Sequence, residues 1–247
     1  MIAQSRAVIS LLASQRGAPA TVIAPTHPDV RYRDRVSART EIAPLADIYV
    51  PLAPNGSSVI LVHGGGWVLG SRRMKCMRYL SAKLVEAGVA VCAIDYRLLF
   101  RGGLIDEATE DVVDAFAFWS ARAATHGLDP RRISLVGLSA GATLSLLAAT
   151  QLDRVRSIAS AFGLYDAPIW KSRMPRHVRQ TSAPTLLLHG TRDDLVPVEQ
   201  AHELAAHRRS LGLPTKLVTY DGAPHGFFSM AIPAAEIATR AIIAHVS

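Results

Sequence analysis

Short apolar runs and longer stretches of helical spacing take turns along most of this chain. Residues 58–62 (SVILV), 89–97 (VAVCAIDYR), 132–136 (RISLV), 157–166 (SIASAFGLYD) and 185–190 (TLLLHG) read as strands, the most apolar of them buried on both faces. Residues 77–88, 106–127, 142–152, 198–211 and 233–246 space their apolar positions as helices do. Gly88 and Gly127 stand where helices end, because glycine takes the left-handed conformation of a C-terminal cap without a steric penalty. Residues 215–222 (TKLVTYDG) form a last strand before the last helix. This alternation, with short loops, predicts a mostly parallel sheet with helices on both faces. Nearer the N-terminus, residues 30–37 (VRYRDRVS) alternate in the strand period, and residues 46–50 form a second short strand stopped by Pro51. No helix separates those two, so an antiparallel edge is expected. In such a sheet the working groups sit in loops at the carboxyl ends of strands. The residues just after each apolar run are therefore the place to look for chemistry.

Composition adds little to that picture. The chain has 247 residues, 49% apolar and 19% charged, a globular balance with ample material for a core. It has no low-complexity tract, fixed-period repeat or Gly/Ser linker. Residues 1–247 are therefore read as one domain, the first 30 forming an N-terminal helix and a candidate partial cap. The net charge of +7 is mostly arginine and is scattered: Arg31, Arg33 and Arg35 alternate, then come Arg72-Arg73, Arg131-Arg132 and Arg208-Arg209. With no basic stripe and no interleaved aromatics, these read as a solvated surface, and nucleic acid is not an expected partner. Cys76 and Cys92 fit no CxxC or metal spacing; as buried free thiols they suit a cytoplasmic setting better than a secreted one. The apolar run at residues 8–13 is short for a signal-peptide core and is broken by Ser10. No run is long enough to span a membrane, so stable insertion is not expected.

The most informative stretch is Gly137-Leu138-Ser139-Ala140-Gly141, which follows a strand and precedes a helix. GxSxG in that context is a nucleophile elbow, a sharp turn that presents a serine at the top of a sheet. The helix that follows supplies a positive field and free N–H groups. A serine nucleophile needs a base, and two histidines follow strands. His225 sits in GAPHGFF, in a loop between the last strand and last helix. His189 ends its strand in LLLHG and reads as a structural histidine hydrogen-bonded to loop backbone. His225 is the better base. Histidines 27, 126, 177, 202, 207 and 245 read as surface or loop residues. The orienting carboxylate comes from HGTRDDLVP, where spacing alone does not choose between Asp193 and Asp194. The chain order of serine, aspartate and histidine is that of α/β-hydrolases.

Taken together, HGGGW (residues 63–67), DYRL, GLSAG, GTRDDLVP and GAPHGF resemble the esterase/lipase family related to hormone-sensitive lipase. Kynurenine formamidases carry a similar HGGxW box. The resemblance runs from about residue 45 to the C-terminus and implies an α/β-hydrolase fold. It implies Asp193 as the catalytic aspartate, beside Ser139 and His225. It also implies an oxyanion hole built from the backbone amides of Gly65, Gly66 and Ala140, with His63, Gly64 and Trp67 in support. His63 would pin the loop, and Trp67 would pack beneath it. Two departures stand out. DYRL continues as LFRGG, which changes a segment that shapes the floor of the site. The stretch from Asp166 to Ala183 is too short for a large lid domain. The implied activity is hydrolysis of carboxylic esters of short to medium acyl chain. An amidase or arylformamidase, and a non-catalytic small-ligand binder of the same fold, are the alternatives. No metal or cofactor is expected, since GxGxxG after a strand, P-loop and HExxH are all missing. The resemblance also allows a homodimer through an edge strand or the last helix.

Overall fold

The computed structural model describes residues 23–33, 44–99, 103–166 and 181–247. Eight strands form one sheet: β1 (His27–Arg31), β2 (Leu45–Tyr49), β3 (Ser58–Val62), β4 (Ala90–Ile94), β5 (Ile133–Leu138), β6 (Ile158–Ala161), β7 (Thr185–Gly190) and β8 (Thr215–Tyr220). Their order is β1-β2-β4-β3-β5-β6-β7-β8. The edge pair β1–β2 and the β2–β4 pair are antiparallel, and every other pair is parallel. Among the described residues, five helices connect them: α1 (Lys75–Glu86), α2 (Ile105–Arg122), α3 (Ala140–Ala149), α4 (Glu199–Ser210) and α5 (Pro233–Val246).

The apolar strands are buried on both faces because two helix layers divide their side chains. Ile60, Val62, Cys92 and Ile94 face α2, α3 and α4. Val59, Leu61, Val91 and Ala93 face α1 and α5. Every residue of α3 is buried, which its all-round apolar and small composition requires. Among the described residues, all five helices pack on the sheet, none forms a large lid, and none is long and apolar enough to cross a membrane.

Most expected elements recur within a few residues, and the differences have local causes. The first strand is His27–Arg31 and so begins earlier than expected; Tyr32 and Arg33 have already left it, and the rest of the predicted run lies outside the described residues. Residues 1–22 of the expected N-terminal helix lie there too, and residues 23–30 are not helical but lead into the exposed start of β1. Helix α2 ends at Arg122 and tightens into a 3-10 turn over Ala123–His126, closed by Gly127 at φ +72°. The tighter turn satisfies carbonyls that the helix end leaves open. Helix α3 starts two residues before the expected position, directly at the elbow.

The basic surface expected for the arginines is not uniform. Arg72 is 5% exposed and Arg208 is fully buried. Arg208 donates to the carbonyls of Thr181 and Ala183 and to the hydroxyls of Thr185 and Thr215. It thereby knits α4 to the starts of β7 and β8. His245 is half-buried and paired rather than free on the surface. Its Nε2–H donates to the carbonyls of Ile158 and Pro184, at 3.1 and 3.2 Å, and so ties α5 to the sheet.

Candidate functional site

Three loops at the carboxyl ends of β5, β7 and β8 bring Ser139, Asp193 and His225 together. Ser139 has φ 52° and ψ −118°, a backbone conformation that L-residues rarely adopt. The flanking glycines explain how the turn fits. A Cβ on Gly137 would lie 2.3 Å from the carbonyl oxygen of Gly141, and one on Gly141 would lie 2.3 Å from that of Val62. The strained serine is held by its amide, which donates to Ala161 at 2.9 Å. Its hydroxyl then projects toward His225.

Ser139 Oγ–H donates to His225 Nε2 at 3.0 Å, and His225 Nδ1–H donates to Asp193 Oδ2 at 2.8 Å. Asp193 Oδ1 accepts the amides of Leu195 and Val196 at 3.0 and 2.8 Å. Burial opposes a charge on Asp193. Hydrogen bonds from His189, His225 and Val196 outweigh it and hold the carboxyl well below the usual carboxylate range. Asp194, one residue on, is exposed and takes no part. The structure thus brings Asp193 rather than Asp194 to His225. The two loops are also sewn to each other. Thr191 N–H donates to Tyr220 at 3.0 Å and Arg192 N–H to Ala223 at 3.1 Å. A Cβ on Gly190 would come within 2.1 Å of the Ala223 carbonyl oxygen.

His189 is buried, as a structural histidine should be. Its Nε2 lies 2.9 Å from the Val196 carbonyl and also 3.1 Å from Asp193 Oδ2. The second contact was not legible from the sequence. Nor was the role of Phe162, which follows β6 at φ 41° and sets its ring edge-on to the His225 imidazole, with centroids 4.9 Å apart. Phe227 and Phe228 back it. The FF after His225 was the available signal for an aromatic cluster there.

The HGGGW loop follows β3 and faces the elbow. His63 is buried, its Nδ1–H donates to the Gly64 carbonyl at 2.7 Å, and its ring stacks on Tyr96. Tyr96 O–H donates to the His63 carbonyl at 3.1 Å. Burial, its largest influence, lowers the basicity of His63. The three glycines have separate reasons. Gly64 packs on the elbow, where a Cβ would lie 3.0 Å from the Leu138 carbonyl oxygen and 3.1 Å from Ser139 Cβ. Gly65 has φ 122°, and a Cβ there would fall 1.9 Å from the Leu69 carbonyl oxygen. Gly66 has φ 61° but faces open space. Trp67 is buried in the core beneath the loop, and its carbonyl accepts the Leu99 amide at 2.7 Å. Leu99 begins the unusual continuation of DYRL, so that continuation itself braces the loop.

A partly buried ionic cluster fixes the far end of this loop. Arg72 pairs with Asp95 and Asp29, and its amide donates to Asp95 at 2.7 Å. Arg73 grips Asp47 with two nitrogens, at 2.8 and 3.1 Å. Asp47 is 1% exposed. Burial works against its charge, but hydrogen bonds from Arg73, the Asp29 amide and Arg72 bring its carboxyl down to about 2. These contacts join the loop to β1, β2 and the end of β4.

Among the described residues, two cavities meet at Ser139. The larger, about 220 Å³, is lined by Gly65, Gly66, Trp67, Leu164, Leu195 and Val196 among others and is almost wholly apolar. The smaller, about 30 Å³, lies on the His225 side against Met74, Cys76, Phe162, Phe228 and Ser229.

Known proteins match this chain in two regions. The pattern of the family described as Phospholipase/Carboxylesterase matches residues 110–236, just over half of the chain, and that of BD-FAE matches residues 46–165. A probable isoprenylcysteine alpha-carbonyl methylesterase of Oryza sativa subsp. japonica is 28% identical, over 72% of this chain and 54% of its own length. Esterase LipC of Mycobacterium tuberculosis is 27% identical, over 79% of this chain and 60% of its own. The chain spans about half or less of the length of the first of these curated relatives. Among solved structures, Thermogutta terrifontis esterase 2 phosphonylated by cyclosarin superposes with a TM-score of 0.74 at 22% identity, covering 91% of this chain and 95% of that one.

Proposed function

The chain belongs to the phospholipase/carboxylesterase family, and we propose that it hydrolyses carboxylic esters through an acyl-enzyme on Ser139. The observation that carries this reading is the continuous relay from Ser139 Oγ to His225 to Asp193, at 3.0 and 2.8 Å. Ser139 Oγ attacks the carbonyl carbon while His225 Nε2 takes its proton. The tetrahedral intermediate collapses, the C–O bond to the alcohol breaks, and His225 returns the proton to the departing oxygen. Water then repeats the sequence and releases the acid. Asp193 holds the imidazole in the Nδ1–H tautomer and stabilises its cation. The amides of Gly65, Gly66 and Ala140 donate to the oxyanion; losing one such donor costs about 3 kcal/mol in a well-studied serine hydrolase.

The cavities support a division of the substrate. A cavity of about 150 Å³ holds benzene. The larger chamber here, at about 220 Å³, therefore suits a short to medium acyl chain. The smaller one, at about 30 Å³, is several times smaller. It lies on the side of His225, where the alcohol leaves, and suits methyl or ethyl. The methyl group in the name of the methylesterase relative suits the smaller cavity, on the alcohol side.

A matched ester panel tests the reading. Methyl hexanoate should be turned over much faster than hexyl acetate, and a formamide of an aromatic amine more slowly than either. Ser139→Ala should abolish both turnover and labelling by a fluorophosphonate. Wild-type protein that never labels would overturn the hydrolase reading. A preference for hexyl acetate would overturn only the division between cavities.

A further inference from the structure

We infer that His189 is a positioning residue of the relay, sharing its Nε2–H between the Val196 carbonyl and the same carboxylate oxygen of Asp193 that receives His225. This rests on the esterase reading but concerns a residue that reading does not use. The geometry has three parts. His225 Nδ1 and His189 Nε2 approach Asp193 Oδ2 at 2.8 and 3.1 Å, and the Asp193 side chain is fully buried between them. His189 is itself 0% exposed. Its other nitrogen, Nδ1, is buried with no hydrogen-bond partner among the described residues.

That last fact fixes the tautomer. Both acceptors, Asp193 Oδ2 and the Val196 carbonyl, lie on Nε2. A proton on Nδ1 would be a buried donor with nothing to receive it, which costs more than an idle lone pair. His189 is therefore a fixed donor at Nε2.

The alternative is that His189 only anchors the loop through Val196. The loop is already closed without it, since the Leu195 and Val196 amides both donate to Asp193 Oδ1. His189 acts on the other oxygen, the one that orients His225. Two effects follow. The donor stops the carboxylate from rotating away from His225. It also shares the negative charge, so that Asp193 attracts the His225 proton less strongly than an undivided carboxylate would.

The test uses His189→Gln and His189→Leu. Glutamine can place an amide N–H close to the position of Nε2; leucine cannot donate. His189→Leu should lower kcat on the order of 10- to 100-fold with KM little changed. The acid limb of its kcat/KM profile should move to higher pH. His189→Gln should retain most of kcat and the wild-type limb. Leucine with a wild-type profile, or glutamine as impaired as leucine, would reduce His189 to packing and overturn the inference. If His189→Leu does not fold, NMR of the wild-type protein decides: a through-hydrogen-bond coupling from His189 Nε2–H to the Asp193 side-chain carboxyl carbon supports the inference, and the Nδ1–H tautomer, or a coupling to the Val196 carbonyl alone, overturns it. Loss of all turnover and labelling in the wild type would instead strike the esterase reading, and the NMR result would still stand by itself.

Discussion

Gly141 lies directly beneath the carbonyl groups of Val62 and His63, so close that a Cβ there would sit 2.3 and 2.4 Å from their oxygens. This contact joins the elbow on β5 to the root of the HGGGW loop on β3. Both obstacles are backbone, so no side chain can swing aside. Gly141→Ala should destabilise the protein by about 3 kcal/mol, or roughly 6–12 °C in Tm for a chain of this size. Calorimetry would check this; a variant within 2 °C of wild type, on the order of 1 kcal/mol, would show that the two strands part more easily than the packing indicates.

The neighbouring glycines of the loop should separate in the same measurement. Gly65→Ala meets the Leu69 carbonyl and cannot keep the loop's turn, so both Tm and turnover should fall. Gly66→Ala has open space ahead of it, and its cost is the left-handed backbone alone, on the order of 1–2 kcal/mol. It should fold, melt slightly lower, and lose turnover by more than its small change in Tm suggests. Equal behaviour of the two variants would contradict the separate reasons found for them.

Asp193 and Asp194 are adjacent in sequence and opposite in environment. Asp193→Asn should lower kcat by about 10⁴-fold, because the amide favours the wrong tautomer of His225. Asp194→Asn, on the exposed face of the loop, should stay within about twofold, as surface changes away from the chemistry usually do. Steady-state kinetics on one ester decides the pair.

Acid should weaken the fold in a defined window. The Asp47 carboxyl is held at about 2 in the folded protein, below its value in the unfolded chain. The unfolded state therefore takes up the proton first. The stabilisation is complete above the ordinary carboxylate range and is lost as pH falls from about 4 toward 2, about 2 kcal/mol for this group. Asp193 shifts the same way. Urea midpoints at pH 7, 5, 4 and 3 should fall steeply over the last steps. Asp47→Asn should be weaker at pH 7 and show a shallower acid decline. An unchanged decline would remove Asp47 from the account.

Much of this arrangement was readable beforehand, and what was not has a common physical reason. GLSAG, the two fully buried strands at residues 58–62 and 185–190, and His225 are local signals: spacing, glycine and position after a strand. The resemblance, not the spacing, singled out Asp193. Arg72 and Arg73 looked like solvated charge because their partners, Asp29, Asp47 and Asp95, are 23 to 43 residues away in sequence. His189 was rightly read as structural from its strand, but its contact with Asp193 depends on how a turn folds back. Phe162 packs on His225 only once β6 and β8 are placed on either side of β7. Burial of charge and aromatic contacts at a site are properties of the assembled sheet, and one strand does not announce them.

The left-handed backbone of Ser139 carries a further implication. Such a conformation costs on the order of 1–3 kcal/mol for any residue with a side chain. Glycine would take it freely, at the smaller cost of a looser unfolded chain. Ser139→Gly should therefore be chemically dead yet melt no lower than the wild type. The protein forgoes resilience at this one position to keep a hydroxyl aimed at His225, so variants selected for thermal endurance alone would be drawn toward losing that hydroxyl.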